Sequence, residues 1–351
     1  MTRTHPLLEV RDLKVWFPVR KSLLSKAKTY VRAVDGVSFD IGNREIFCLV
    51  GESGCGKTTI ANTLLGLVNA TSGSAILNGM NLLKLTKEQR TQFRRNTQMI
   101  FQDPYDSLNP HMTVFEIIAE PLEVNNLTND PEEKESRVKQ SLEAVGLAPP
   151  QTFLDHYPHQ LSGGQRQRVA IAAALVLKPS LMVADEPVSM LDISVRAGIL
   201  KLMLDLRNEF DLTYLFITHD LATARNFVDR IAVMYLGRIV EIGDTKSVIE
   251  TPLHPYTKAL ISVVPVPNPK TRKQKTLLAG EIPNPVEIPP GCRFHTRCPV
   301  ARERCSQDEP GLEELFPGHY VACPFAGSEW SNEAPTESHA KQSAAPTIKN
   351  P

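Results

Sequence analysis

Residues 8–15 (LEVRDLKV) alternate apolar and charged positions, which predicts a strand with one buried face. Residues 37–41 and 45–50 predict two more strands. The second runs straight into a glycine-rich loop, and residues 59–68 then carry apolar positions at helical period. Between 103 and 175 helical signals dominate. Over 132–147, Val138, Leu142 and Val145 share one helical face, and Gly146 supplies a stop. A short apolar run at 181–184 ends in two carboxylates. Ile193–Phe210 reads as an amphipathic helix, 212–218 as a β-rich strand, and 231–242 as a hairpin turning at Gly237-Arg238. Strands alternating with helices predict an α/β fold with a mostly parallel sheet. A basic, helix-compatible stretch occupies 20–28. Beyond 251 the texture changes: prolines accumulate through Gly291, cysteines follow, and 327–351 is polar, small and proline-bearing, the composition of a disordered tail. No internal repeat is visible.

The chain has 351 residues, more than one hydrophobic core of about 250–300 residues usually covers, so two or more units are expected. Lys+Arg and Asp+Glu both number 39, leaving no net field to recruit nucleic acid or an anionic membrane. The basic run 270–275 (KTRKQK) reads as a solvated linker. The longest unbroken apolar run, 169–177, is nine residues, far short of the about 20 that a membrane span needs. Residues 1–6 (MTRTHP) lack the apolar core of a signal peptide. A cytosolic protein is expected, with any membrane role supplied through a partner. Two of the six cysteines, Cys48 and Cys55, lie in or beside the glycine-rich loop, and Cys292, Cys298, Cys305 and Cys323 cluster late in the chain. In a reducing compartment such a cluster reads as a metal site before it reads as disulfides.

Three motifs carry chemistry. Gly51-Glu52-Ser53-Gly54-Cys55-Gly56-Lys57-Thr58 fills the phosphate-loop pattern G-x-x-x-x-G-K-[ST], followed by Thr59 at the head of the predicted helix. Glycines let the backbone N–H groups curl toward phosphate oxygens, and the helix adds its positive N-terminal end. Lys57 is placed to reach the β- and γ-phosphates and the Thr58 hydroxyl to ligate Mg²⁺. Asp185 ends its apolar strand, where ligands collect in open parallel sheets, and is expected to hold Mg²⁺. Glu186, next in sequence, leaves in another direction and can polarise a water as general base. Leu161-Ser162-Gly163-Gly164-Gln165 stands between these two motifs and opens the apolar helix that contains 169–177.

Phosphate loop, LSGGQ and apolar strand plus Asp-Glu, in that order, resemble the ATP-binding cassette family. The resemblance implies an α/β fold with a P-loop NTPase (RecA-like) core and mixed sheet, a helical subdomain, and here a small cysteine-containing C-terminal extension. The corresponding boundaries are 7–102 plus 176–250 for the core with its N-terminal β subdomain, 103–175 for the helical subdomain ending in the signature, 251–326 for the extension, and 327–351 for the tail. It makes Gln102 a Q-loop residue that touches Mg²⁺ and the attacking water, and His219 a switch histidine that contacts the γ-phosphate and orders Glu186. Asp192 falls in the D-loop, where Met190 replaces the family's more usual Ala. The signature closes over ATP held by the phosphate loop of the opposite subunit, so one chain carries halves of two sites. An aromatic residue normally stacks on adenine. Tyr30 is the nearest candidate, at a spacing to Val37 shorter than the usual pattern.

Residues 254–260 (HPYTKAL), 280–285 (GEIPNP) and 291–299 (GCRFHTRCP) resemble the C-terminal region of the ATPase subunits of oligopeptide and dipeptide importers. The stretch 20–28 and the phrase 31–37 (VRAVDGV) resemble the "F" subunits of those systems. The resemblance covers residues 7 to about 326. It implies a peripheral subunit on the cytoplasmic face of the membrane, bound to two permease subunits and paired with a second, related ATPase. An external solute-binding protein is implied too, and no nucleic acid. The solute is read by those other chains, and some relatives move oligosaccharides or nickel. Two competing readings are a non-transport cassette protein, against which the chain has neither long coiled coils nor a second cassette, and an ATPase actuated by a redox-sensing cysteine module. Five, six and seventeen residues separate successive cysteines of the late cluster. These gaps fit neither usual zinc spacings nor common ferredoxin ones, so pattern alone names no metal. The resemblance implies a [4Fe–4S] cluster with a structural role, whose loss is expected to loosen 291–325 and spare ATP binding.

Overall fold

The computed structural model describes residues 6–19, 29–264, 278 and 280–326. The basic stretch 20–28, the linker 270–275, the extreme N-terminus and the tail 327–351, each read above from sequence, lie outside the described residues.

Strands β1 (Leu8–Val19) and β2 (Thr29–Ile41) pair antiparallel, and β3 (Ile46–Val50) feeds the phosphate loop. β4 (Ser72–Leu77) and β5 (Met80–Asn81) return to the first pair, giving a four-stranded sheet ordered β2-β1-β4-β5. β6 (Thr97–Ile100), β7 (Leu181–Asp185), β8 (Thr213–Thr218), β9 (Arg230–Tyr235), β10 (Arg238–Asp244), β11 (Glu313–Phe316) and β12 (His319–Val321) build, with β3, a sheet ordered β11-β12-β10-β9-β3-β8-β7-β6. From β9 to β6 the neighbours are parallel, and from β9 outward to β11 they are antiparallel. The sheet is therefore mixed, as the family resemblance implies.

Burial on both faces explains why β3, β7 and β8 carry near-continuous apolar runs. Ile46, Cys48 and Val50 pack into the core on the helical side, as do Met182, Ala184, Tyr214 and Phe216. Phe47, Leu49, Leu181, Val183, Leu215 and Ile217 face the second core, shared with the four-stranded sheet. Each such side chain, fully buried, contributes about 1.5–3 kcal/mol of transfer free energy. Because the five strands from β9 to β6 run parallel, the residues that follow β3, β6, β7 and β8 all emerge on one edge.

The helical region carries helices Val114–Val124, Pro131–Ala144 and Gly163–Leu175. Val138, Leu142 and Val145 are buried as the periodicity predicts, and Gly146 at φ 73° ends the second helix. The β9–β10 hairpin turns one residue earlier than the sequence predicts. Leu236 and Gly237 both have positive φ (41° and 78°), and Arg238 already pairs with Tyr235. A two-residue turn of this hand takes glycine at its second position. The described part of the extension is tied into the core sheet. Tyr320 and Val321 pair with Ile242 and Glu241 of β10, so β12 and then β11 lengthen the sheet at its edge.

Candidate functional site

The phosphate loop closes because glycine stands where no other residue fits. At Gly56, φ is 108° and a Cβ would fall 2.2 Å from the carbonyl oxygen of Ala33. The next residue begins helix Lys57–Leu64, whose N-cap makes no side-chain hydrogen bond, so its first N–H groups stay open to an anion. Lys57 is buried, and Nζ donates to the carbonyls of Gly51 (2.8 Å) and Glu52 (3.1 Å). Those are the contacts that phosphate oxygens can replace. Burial pushes the Cys55 thiol up, against the opposing pull of the Lys57 charge, so Cys55 behaves as a small apolar filler of the loop.

A cavity of about 740 Å³ opens over the loop, a size that suits a nucleotide. Glu52, Ser53, Gly54, Gly56, Lys57, Thr58 and Thr59 line it, and Gln102, Glu186 and His219 face them from the ends of neighbouring strands. Asp185, at the end of β7, is 6 % exposed. Burial raises its pKa, partly offset by a hydrogen bond from Thr58. Glu186 adopts φ 48°, a left-handed conformation rare outside glycine and held here by its N–H donating to the Ile217 carbonyl at 2.9 Å. That turn sends the two adjacent carboxylates in different directions. Gln102 Nε2 donates to Glu186 Oε2 (3.2 Å), and His219 Nδ1 lies 2.9 Å from Oε1. Two residues from two strand ends thus converge on the carboxylate at a third. Such a constellation can hold a polyphosphate, a divalent cation between Thr58 and Asp185, and a water beside Glu186.

The signature residues Leu161, Ser162, Gly163, Gly164 and Gln165 do not line this cavity. Ser162 caps helix Gly163–Leu175, its Oγ accepting from the Gln165 N–H while the Gln165 side chain accepts from the Ser162 N–H. A Cβ on Gly164 would sit 2.6 Å from Val195, so this glycine lets the helix press against the helix that begins after Asp192. Asp192 is exposed and makes no side-chain cap bond. The helices that begin after Ser162 and Asp192 therefore touch near their starts, and neither residue lines the cavity over this chain's own phosphate loop.

Tyr30 sits opposite Pro18 in the β1–β2 pair with its ring 6.1 Å from Trp16, and it is not among the cavity's lining residues. Leu260 and Ile282, from the extension, do line the cavity. The extension also reaches the loop itself. The Glu52 N–H donates to the hydroxyl of buried Tyr256 at 3.0 Å, and the Glu52 carboxylate takes two hydrogen bonds from Arg297. Sequence reading missed all four residues. Their only local signal is that Tyr256 and Leu260 fall inside the phrase HPYTKAL, Ile282 inside GEIPNP and Arg297 inside GCRFHTRCP.

Cys292, Cys298, Cys305 and Cys323 line a second cavity, walled by His254, Phe294 and Phe325 among others, and none is in a disulfide. Burial pushes the thiol of Cys292 up to about 11 and that of Cys298 to about 12, and the neighbouring cysteines add to both. Among the described residues no three His, Cys, Asp or Glu side chains stand close enough together to hold a metal ion.

Comparison with known proteins agrees with this geometry. A family profile described as "ABC transporter" matches residues 34–189, and one described as "Oligopeptide/dipeptide transporter, C-terminal region" matches 240–305. The sequence is 46 % identical over 320 residues to the oligopeptide transport ATP-binding protein AppF of Bacillus subtilis, covering 90 % of this chain and 96 % of that one. It is also 46 % identical over 321 residues to the oligopeptide transport ATP-binding protein OppF of Escherichia coli, covering 90 % and 95 %. Among solved structures, the dimeric post-hydrolysis state of the ATP-binding cassette MJ0796 bound to ADP and Pi is similar. Its TM-score is 0.58 at 29 % identity, over 68 % of this chain and 98 % of that one.

Proposed function

As a member of the ABC transporter family of ATP-binding proteins, this chain is an ATPase, and we propose that it powers the import of oligo- or dipeptides through separate permease subunits. The observation that carries the hydrolytic assignment is the meeting of Gln102 and His219 on Glu186 across the cavity from Lys57. In this reading Glu186 accepts a proton from water, whose oxygen bonds to the γ-phosphorus as the bond to the β-phosphate oxygen breaks. His219 and Gln102 orient that carboxylate and the water, and Lys57 with the loop N–H groups binds the phosphates. Thr58, Asp185 and Gln102 are the residues to hold Mg²⁺, which neutralises phosphate charge when bound. The hydrogen bond between Thr58 and Asp185 supports that donor pair. Gly51 to Thr59 form the phosphate cradle, and Tyr30 remains a proposed adenine contact.

The separation of Leu161–Gln165 from the chain's own cavity supports a composite site shared with a second, related ATPase, Asp192 facing the same partner. Met190 and Ile193 beside the D-loop, and Phe101 and Tyr105 beside Gln102, are large apolar side chains left exposed, as docking surfaces for the second ATPase and for two permeases require. No helix among the described residues is long and apolar enough to cross a membrane. The subunit is placed on the cytoplasmic face, with an extracytoplasmic solute-binding protein delivering cargo. Residues 7–102 and 176–250 form the nucleotide core, 103–175 the helical subdomain, and 251–326 the extension.

The extension is proposed to hold a [4Fe–4S] cluster on Cys292, Cys298, Cys305 and Cys323. Convergence of four unbonded thiols on one cavity supports this, and the sulfurs must close inward to ligate. Protein purified without oxygen should contain iron and acid-labile sulfide in near-equal amounts, and stoichiometric zinc without iron would replace the cluster with a zinc site.

The transport reading is tested with the assembled transporter in vesicles. ATP-dependent uptake of a labelled di- or oligopeptide is expected. Uptake of nickel or an oligosaccharide in its place would overturn the peptide assignment and leave the ATPase intact.

A further inference from the structure

Glu52 is the second residue of the phosphate loop and one of the residues that line the nucleotide cavity. An unpaired carboxylate beside that cavity would repel a polyphosphate bound in it. The charge that answers it comes from 245 positions away. Arg297 Nη1 donates to Oε2 at 2.7 Å and Nη2 to Oε1 at 3.2 Å, a two-pronged contact with the guanidinium only 8 % exposed. Glu52 itself is held at its backbone on both sides. Its N–H donates to Tyr256, which is fully buried, and its carbonyl accepts from Lys57. Lys57 is committed to loop carbonyls and does not pair with the carboxylate.

We propose that Arg297 is a positioning residue for nucleotide binding: it neutralises and fixes Glu52 so that the phosphate loop accepts ATP. The cysteine-bearing extension is thereby part of the nucleotide site, which goes beyond a purely structural role for it. The proposal rests on the ATPase reading. It also revises the expectation that disturbing residues 291–325 spares ATP binding, because Arg297 lies within that stretch.

The test is titration of the full-length chain with a fluorescent ATP analogue, mant-ATP, and with mant-ADP. Arg297→Ala should weaken mant-ATP binding roughly ten-fold and mant-ADP binding less, because the unmasked carboxylate repels each added phosphate charge. Arg297→Lys should retain binding to within about three-fold, since the charge survives and only the fork is lost. The double variant Arg297→Ala/Glu52→Gln should recover to within about two-fold of wild type, because it removes the repulsion although the contact stays broken. In the assembled transporter Arg297→Ala should raise KM for ATP more than it lowers kcat. Wild-type affinity in Arg297→Ala would overturn the proposal. So would a double variant as weak as the single one, which makes the pair mere adhesion. Should Arg297→Ala fail to fold, Glu52→Gln alone decides: binding at least as tight as wild type supports charge masking, and a ten-fold loss rejects it. Failure of the wild-type chain to bind mant-ATP would strike the ATPase reading itself, a distinct outcome.

Discussion

In β3, β7 and β8 every side chain is buried, whereas all four residues of β11 are exposed. The first region holds the phosphate loop and the Asp185–Glu186 pair by apolar packing on two faces. The extension is attached to it through fewer apolar side chains, joined by a few buried polar residues. Buried Glu241 accepts from the N–H groups of Leu253 and His254 and pairs with His319 of β12 at 2.8 Å. Buried Arg293 donates to the Leu236 carbonyl, Asp35 and Glu309. The extension's large apolar anchors include Phe294, whose ring lies 5.2 Å from Tyr235 and 5.4 Å from Tyr256, itself fully buried. Stability spread over many contacts in the sheet is thus concentrated on a handful of side chains in the extension, and single substitutions there should undock a whole segment.

Phe294→Ala should produce the largest local effect, about 3–5 kcal/mol for an aromatic side chain lost from a packed site. Hydrogen exchange should show residues 291–326 losing protection while β3 and β7 keep theirs. Uniform loss across both regions would erase the contrast. Arg293→Ala comes next. It takes from the buried Asp35 carboxylate its one buried cationic partner and leaves the Trp16 indole N–H, and thermal unfolding should report a loss of about 3 kcal/mol. Arg293→Lys should recover only part of that loss, since one ammonium cannot serve three acceptors in a planar fork.

The smallest effect is a pH dependence. Burial by itself raises the Asp35 pKa, but the hydrogen bond and charge of Arg293, with Arg238 and Trp16, bring it below the usual carboxylate value. The unfolded chain therefore binds this proton more readily. The pair's stabilisation is present above about pH 4 and is lost as pH falls through the lowered folded value. In Arg293→Ala burial acts with less opposition, so this acid loss should shrink or reverse sign. An acid transition identical in both proteins would remove Asp35 from the account.

Much of the site is legible in sequence because its motifs are contiguous. The phosphate loop follows β3 directly, Asp185 and Glu186 end a fully apolar run, and Ser162 with Gln165 carries the spacing of a helix cap. What sequence could not carry is conformation and distance. Nothing local tells that Glu186 turns through a left-handed φ. Nothing local pairs Glu52 with Tyr256 or Arg297, which lie 204 and 245 residues away. The two added strands hide for another reason. Glu313–Phe316 sits at the sheet edge with both faces wet, so no burial imposes an alternating pattern on it. The hairpin register slips by one residue in the reading because Gly237 serves equally as the second residue of one turn or the first of another.

The central claim is that Glu186 activates the attacking water, and the most direct measurement is ATP turnover of the assembled transporter carrying Glu186→Gln, beside ATP binding by the same protein. Turnover should fall by about 10²–10⁴-fold, the usual contribution of a general base, with binding preserved. Turnover near that of the wild type would contradict the account.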